Sequence, residues 1–320
     1  MKKLLLSLCL FFSFSLFAEN ELQQANERSL QRLHNALSQV EPLQVQLPHD
    51  TKIQFTLDKK DGILIQVRTP KDSISLIFDT GAGFSSVTKS VAERLGIRIL
   101  VDSIIGGGGT GYIEYVSFGV ADTLFVGDIL YKNVIFAIME DESFTWPEID
   151  YYIHGTLGFP EIKVLPSIKI HNKTNVLEVF STAPELQESN MKFNQNNQMI
   201  ITVNDSLLFF LDTGSNWTDL KVAYYNRNKQ RVHKIGQLTT VTRGGMSEIR
   251  DFSVYILNDF PITIGETTTI MPEIRAFREY TFLRYDGILG MDVISQFDYM
   301  LLDFNNMRFS LGNVEKSVEE

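Results

Sequence analysis

Cysteine is almost missing from this chain. Its 320 residues contain one, Cys9, inside the apolar run that opens the sequence. That excludes a disulfide framework, a thiol nucleophile and a cysteine metal site from everything downstream. Leu8, before Cys9, is not the small residue that a lipid-attachment site requires. Histidine is also scarce. His34, His49, His171 and His233 lie far apart without ligand spacing, so no metal and no cofactor are expected. His154 stands alone just before Gly155 and reads as a turn or surface residue. Positive charge is outnumbered, with 29 Lys and Arg against 39 Asp and Glu and a net charge of -10. No basic patch marks a nucleic-acid surface. Long apolar runs are lacking as well: Leu4–Phe17 is too short for an ordinary membrane span. A fold without disulfides must rely on its core, and 44% hydrophobic residues supply one.

The terminal run has the form of a secretory signal. Lys2 and Lys3 precede the apolar stretch, Ala18 is a fitting last residue before cleavage, and Glu19, Asn20 and Glu21 follow at once. Residues 1–18 are therefore expected to be a signal peptide, with no stable membrane span after its removal. Together with the missing cysteines this implies a bacterial protein that is periplasmic or secreted. Residues 19–48 form a polar leader in which Leu30, Leu33 and Leu37 recur at helical spacing. It reads either as a helix packed on the body or as a propeptide.

From about residue 50 the texture is that of short strands and glycine turns. Ile53–Leu57, Ile63–Val67 and Ile74–Phe78 are strands, followed by a helix over Ser86–Leu95. A glycine run, 106–109, precedes strands around Tyr112–Phe118, Leu124–Val126 and Val134–Met139. Later come Met199–Val203 and Leu207–Leu211, a helix over Lys221–Arg227, a helix over Met291–Phe297, and the strands Tyr299–Phe304 and Met307–Leu311. This is a mostly β, mainly antiparallel pattern.

The pattern is also duplicated. Asp79-Thr80-Gly81 ends one apolar strand and Asp212-Thr213-Gly214 ends another. At nearly the same distance beyond each comes a Gly-x-Leu-Gly, at Gly155–Gly158 and Gly287–Gly290. The polar stretch Ser181–Gln198 separates the copies, which sets the expected domains at 49–187 and 188–320.

Each copy carries one carboxylate at the end of a buried strand. Two such carboxylates facing each other cannot both ionise cheaply, so they share a proton. One then serves as base toward a water and the other as acid toward a carbonyl. Gly81 and Gly214 permit tight turns, and the hydroxyls of Thr80 and Thr213 can tie the two turns together.

Phe78–Ala82 and Leu211–Ser215, with Thr156-Leu157-Gly158 and Ile288-Leu289-Gly290, resemble the aspartic peptidases of the pepsin and retropepsin kind. The likeness runs over residues 50 to 313 and is nearer to bacterial retropepsin-like domains in tandem than to pepsin. It implies two homologous lobes with the active site at their interface and Asp79 and Asp212 as the catalytic dyad, supported by Thr80, Gly81, Thr213 and Gly214. It implies a peptide or protein substrate and, because both carboxylates lie in one chain, no need of a catalytic dimer. It also implies a substrate flap at Gly108, Gly109 and Tyr112. Gly83 and Asn216 depart from the family at a position where Ser is frequent. A catalytically inactive module that binds peptides or proteins is the other reading the sequence leaves open. Trp217, just after the second motif, reads equally as a subsite wall or a core residue.

Overall fold

The computed structural model describes residues 19–107, 113–182, 188–194, 198–245, 248–279 and 285–313. The chain is mostly β. Each half builds a sheet around the strand that precedes its Asp-Thr-Gly. In the first half Ser73–Phe78 lies between Ile63–Arg68, antiparallel, and Gly155–Leu157, parallel. In the second, Leu207–Leu211 lies between Met199–Val203, antiparallel, and Gly287–Leu289, parallel. The correspondence continues outward. Gly155–Leu157 pairs antiparallel with Ser85–Thr88, which pairs parallel with Ile129–Met139. Gly287–Leu289 pairs antiparallel with Asp219–Leu220, which pairs parallel with Thr267–Phe277. The central strands carry apolar side chains on both faces, as strands covered on both sides do. Leu76, Ile77 and Phe78, and Phe209, Phe210 and Leu211, are all buried.

A third sheet joins the halves. Its order is Thr51–Gln54, Val176–Phe180, Ser167–His171, Tyr299–Asp303, Arg308–Gly312. Ser167–His171 pairs antiparallel with Tyr299–Asp303, running from Ser167 opposite Asp303 to His171 opposite Tyr299. Alternation puts Ile168, Ile170, Leu177, Val179, Met300, Leu302, Phe309 and Leu311 on one buried face. That face merges with the cores of both other sheets, so the two Asp-Thr-Gly turns sit on one continuous apolar body.

The leader is a helix, Glu19–Leu37. It packs on Arg98–Gly107: Leu33 is fully buried among Ile104, Val116, Phe118, Met139 and Phe144. Ile105 N–H donates to Ser29 Oγ at 2.8 Å, and Arg32 donates to the Asp102 carbonyl at 2.7 Å. Among the described residues no helix is long and apolar enough to cross a membrane.

Several elements differ from the sequence expectation. The helix expected over Ser86–Leu95 starts only at Lys89. Ser85–Thr88 is a fully buried strand wedged between two others, and the Thr88 hydroxyl accepts from Val91 N–H to start the helix. The helix expected over Met291–Phe297 stops at Ile294. The largest difference is a pair of long ribbons, Ile113–Val126 with Ile129–Met139 and Glu248–Ile264 with Thr267–Phe277. The second ribbon was invisible because much of it is solvent-facing. Phe260, Ile262 and Ile264 do alternate, but Asn258 and Asp259 break the run before them and Pro261 argues against a central strand.

Candidate active site

Both Asp-Thr-Gly turns are held by the strand ends beside them. Asp79 N–H donates to the Leu157 carbonyl and Asp212 N–H to the Leu289 carbonyl, each at 3.0 Å. The distant Gly-x-Leu-Gly elements thus fix the height at which each carboxylate emerges. Their closing glycines are held in turn. Gly158 N–H donates to Ser85 Oγ at 2.9 Å, and that hydroxyl donates to Glu161 at 2.5 Å. In the second half Gly290 N–H donates to Thr218 Oγ1 at 3.0 Å, which donates to Asp292 at 2.6 Å.

The two threonines lock the turns to each other by a reciprocal set of four bonds. Thr80 N–H donates to Thr213 Oγ1 and Thr213 N–H to Thr80 Oγ1, both at 3.0 Å. Thr80 Oγ1 donates to the Leu211 carbonyl at 3.0 Å, and Thr213 Oγ1 to the Phe78 carbonyl at 2.7 Å. Both threonines are buried, at 1% and 0% exposure, so each bond replaces one that water cannot make.

Above this lattice the carboxylates of Asp79 and Asp212 face each other, each beside the turn glycine of the other half. Asp79 Oδ1 accepts from Gly81 N–H at 2.8 Å and Ala82 N–H at 3.0 Å. Asp212 Oδ1 accepts from Gly214 N–H at 3.0 Å. The glycines are required by close approach. A Cβ on Gly81 would stand 2.5 Å from Asp212 Cγ, and one on Gly214 would stand 2.5 Å from Asp79 Cγ. Any side chain on either turn would push the carboxylates apart.

Burial raises the pKa of both carboxyls. The amides of Gly81, Ala82 and Gly214 oppose this at Asp79. At Asp212 the negative charge of Asp79 adds to burial. The two sites are therefore unequal. Two amides donate to Asp79 Oδ1 and one to Asp212 Oδ1. Nearby, burial raises the Glu161 carboxyl to about 7 and also raises Asp292.

The residues singled out from the sequence fall as follows. Asp79, Thr80, Gly81, Asp212, Thr213 and Gly214 come together in one site. Gly108, Gly109 and Tyr112 lie outside the described residues. The strands that lead to them, Arg98–Gly107 and Ile113–Val126, pair as a hairpin as far as Gly107 opposite Ile113. Asn216 reaches across to the other half and donates to the Lys60 carbonyl at 2.5 Å, while Gly83 has open space around it. His154 is half-buried, and its carbonyl accepts from Thr88 N–H. Trp217 is 44% exposed, so it is not a core residue.

Sequence reasoning missed Ser85, Glu161, Thr218 and Asp292. A signal was available: Ser85 and Thr218 stand at the same offset beyond Asp79 and Asp212, and each Gly-x-Leu-Gly is closely followed by an acidic residue. It also missed the charged group around Asp219. That carboxylate is 4% exposed and is faced by Arg243 Nη2 at 3.3 Å, Arg275 Nη1 at 3.5 Å and Lys221 Nζ at 3.9 Å. No local pattern announces this group, because its members come from separate strands and the loop before a helix.

No curated protein matches the chain. Among solved structures it is similar to a retropepsin-like aspartic protease from Rickettsia conorii, with 14% identity over 43% of this chain and 92% of that one and a TM-score of 0.28. It is also similar to Basic 7S globulin from soybean, with 10% identity over 82% of this chain and 94% of that one and a TM-score of 0.46. Residues 65–160 match the family profile described as Aspartyl protease. That span carries the first Asp-Thr-Gly turn and its Gly-x-Leu-Gly support, which the second half repeats. Over residues 65–160 the chain is thus similar to the aspartyl proteases.

Proposed function

We propose that the chain is an aspartic endopeptidase of two homologous lobes, 49–187 and 188–320, that cuts peptide bonds with a water held between Asp79 and Asp212. The observation that carries this reading is the facing pair of half-buried carboxyls, one supplied by each half, above turns locked together by Thr80 and Thr213. Asp79, ionised, takes a proton from the water. Asp212, protonated, donates to the scissile carbonyl oxygen as the water attacks. As the C–N bond breaks, Asp79 passes its proton to the leaving nitrogen and Asp212 takes one back from a hydroxyl of the intermediate, which restores the shared-proton pair. Because one chain supplies both carboxyls, a single copy suffices. The substrate is a peptide or protein segment in extended form, held in part by main-chain pairing. The hairpin ending at Gly107 and Ile113 is the base of the flap that closes over it through Gly108, Gly109 and Tyr112. Residues 1–18 act as a secretory signal in a bacterial cell, and the mature protein works in the periplasm or outside.

The test is mass-spectrometric detection of cleavage in a diverse peptide library from about pH 3 to 8, with the chain from Glu19 and its Asp212→Ala variant in parallel. Cuts made by the unaltered chain alone are expected. A library left intact across that range would overturn the peptidase reading in favour of a module that binds peptides or proteins without cutting them.

A further inference from the structure

Beside Asp212 lies a group of charges that the chemistry above does not use. Lys221, Arg243 and Arg275 converge on the single buried carboxylate of Asp219. The neighbouring Asp212 is close enough to Lys221 for each to shift the other. In a chain of net charge -10, three cations around one anion are a local excess of positive charge.

Neutralising Asp219 does not account for them. A guanidinium and a carboxylate paired for structure meet at about 2.7–2.9 Å, often through two parallel bonds. Here the three approaches are 3.3, 3.5 and 3.9 Å. Arg243 Nε is buried without a hydrogen-bond partner among the described residues. Lys221, 8% exposed, stands beyond hydrogen-bond reach of its one ion-pair partner among the described residues. Burial lowers its pKa, Asp219 opposes this, and Arg243 adds to the lowering. Donor capacity therefore exceeds what Asp219 accepts.

An exposed aromatic ring borders the group. Trp217, three residues beyond Gly214, is 44% exposed, and its ring lies under both guanidinium groups, 4.3 Å from Arg275 and 5.4 Å from Arg243. The ring fixes the planes of the two guanidinium groups. Lys221 is steadied in the same way on Phe277, at 4.4 Å.

We propose that Arg243, Arg275 and Lys221 form a subsite for a carboxylate side chain, Asp or Glu, of the bound peptide, with Trp217 as its wall. The inference rests on the peptidase reading for the placement of the peptide and adds the class of residue it must carry. Asp219 holds the three cations in place while the site is empty and competes with the incoming carboxylate.

The experiment measures two things on the same peptides, paired so that one member has Glu or Asp where the other has Gln or Asn. The first is cleavage by the unaltered chain. The second is binding to the full chain carrying Asp79→Asn, by fluorescence anisotropy. The expected result is a preference of about tenfold or more for the acidic member in at least one register, as a charge-assisted pair gives. Arg243→Gln combined with Arg275→Gln reduces that preference to near unity. Asp219→Asn, which keeps the shape and removes the internal competitor, increases it. Equal treatment of acidic and amide peptides by the unaltered chain overturns the subsite, as does a preference that survives the double substitution. Cleavage without charge preference removes the subsite and leaves the peptidase. Charge-selective binding without cleavage removes the peptidase and leaves the subsite. Absence of both removes both.

Discussion

The threonine lattice makes a prediction that runs against hydrophobic intuition. Thr213→Val keeps the shape of a fully buried side chain and makes it more apolar, so burial alone predicts a neutral or stabilising change. The hydroxyl, however, accepts from Thr80 N–H at 3.0 Å and donates to the Phe78 carbonyl at 2.7 Å. Valine leaves both backbone groups short of a partner where water does not reach. Each such group costs about 1–3 kcal/mol, so the variant loses roughly 2–6 kcal/mol. Thr213→Ser keeps both bonds and gives up one methyl, at about 1 kcal/mol. The assay is the urea midpoint of the mature chain, followed by circular dichroism. The serine variant unfolds close to the parent and the valine variant well below it. Thr80→Val shows the same loss, because its hydroxyl makes the mirror pair of bonds to Thr213 N–H and the Leu211 carbonyl. A valine variant as stable as the serine one would refute the claim that these hydroxyls hold the two halves together.

Three further predictions follow from burial. Glu161 is raised from 4.5 to about 7 by burial, so it favours the folded state below its unfolded pKa. That contribution is lost as pH rises through about 7, a change of roughly 3 kcal/mol; Glu161→Gln should flatten the fall in urea midpoint between pH 4.5 and 7.5. Asp212→Asn removes a carboxyl raised by burial and by Asp79, so the variant should unfold at higher urea than the parent at pH 7.5, and an equal or lower midpoint would contradict the raised pKa. Leu33→Ala opens a cavity among Ile104, Phe118 and Phe144 and should cost about 2–5 kcal/mol in the same assay, whereas a negligible loss would show that the leader helix does not share the core.

The sequence was most legible where one residue type is required by contact. The two Asp-Thr-Gly triplets, their apolar strands and the paired Gly-x-Leu-Gly elements could be read directly, because each glycine sits where a Cβ would collide. The mostly β class followed from short apolar runs between turn residues such as Asp61, Asn175 and Asn204, all of which adopt positive φ. Elements governed by distant partners were not legible. Ser85–Thr88 has helical apolar spacing with Val91 and Leu95, yet two flanking strands draw it into the sheet. Glu248–Ile264 is paired along both edges and buries Leu257, Phe260, Ile262 and Ile264, but Asn258 and Asp259 break the run and concealed it. The charged group at Asp219 needs Lys221, Arg243 and Arg275 to meet from far apart in sequence, which only the sheet order accomplishes. The supports Glu161 and Asp292 were within reach, since their repeat beside the glycines is visible once the duplication is taken seriously.

The central claim is that one carboxyl from each half acts as part of a single catalytic unit. The most direct measurement is the cleavage rate of one peptide by Asp79→Ala, Asp212→Ala and the double variant, each checked for folding by its urea midpoint. A pair that works as a unit loses all of its activity with either member, so the three rates should be equally low and the double variant no slower than the singles. A single variant that retains substantial cleavage, or a double variant whose loss is the product of the two single losses, would contradict it.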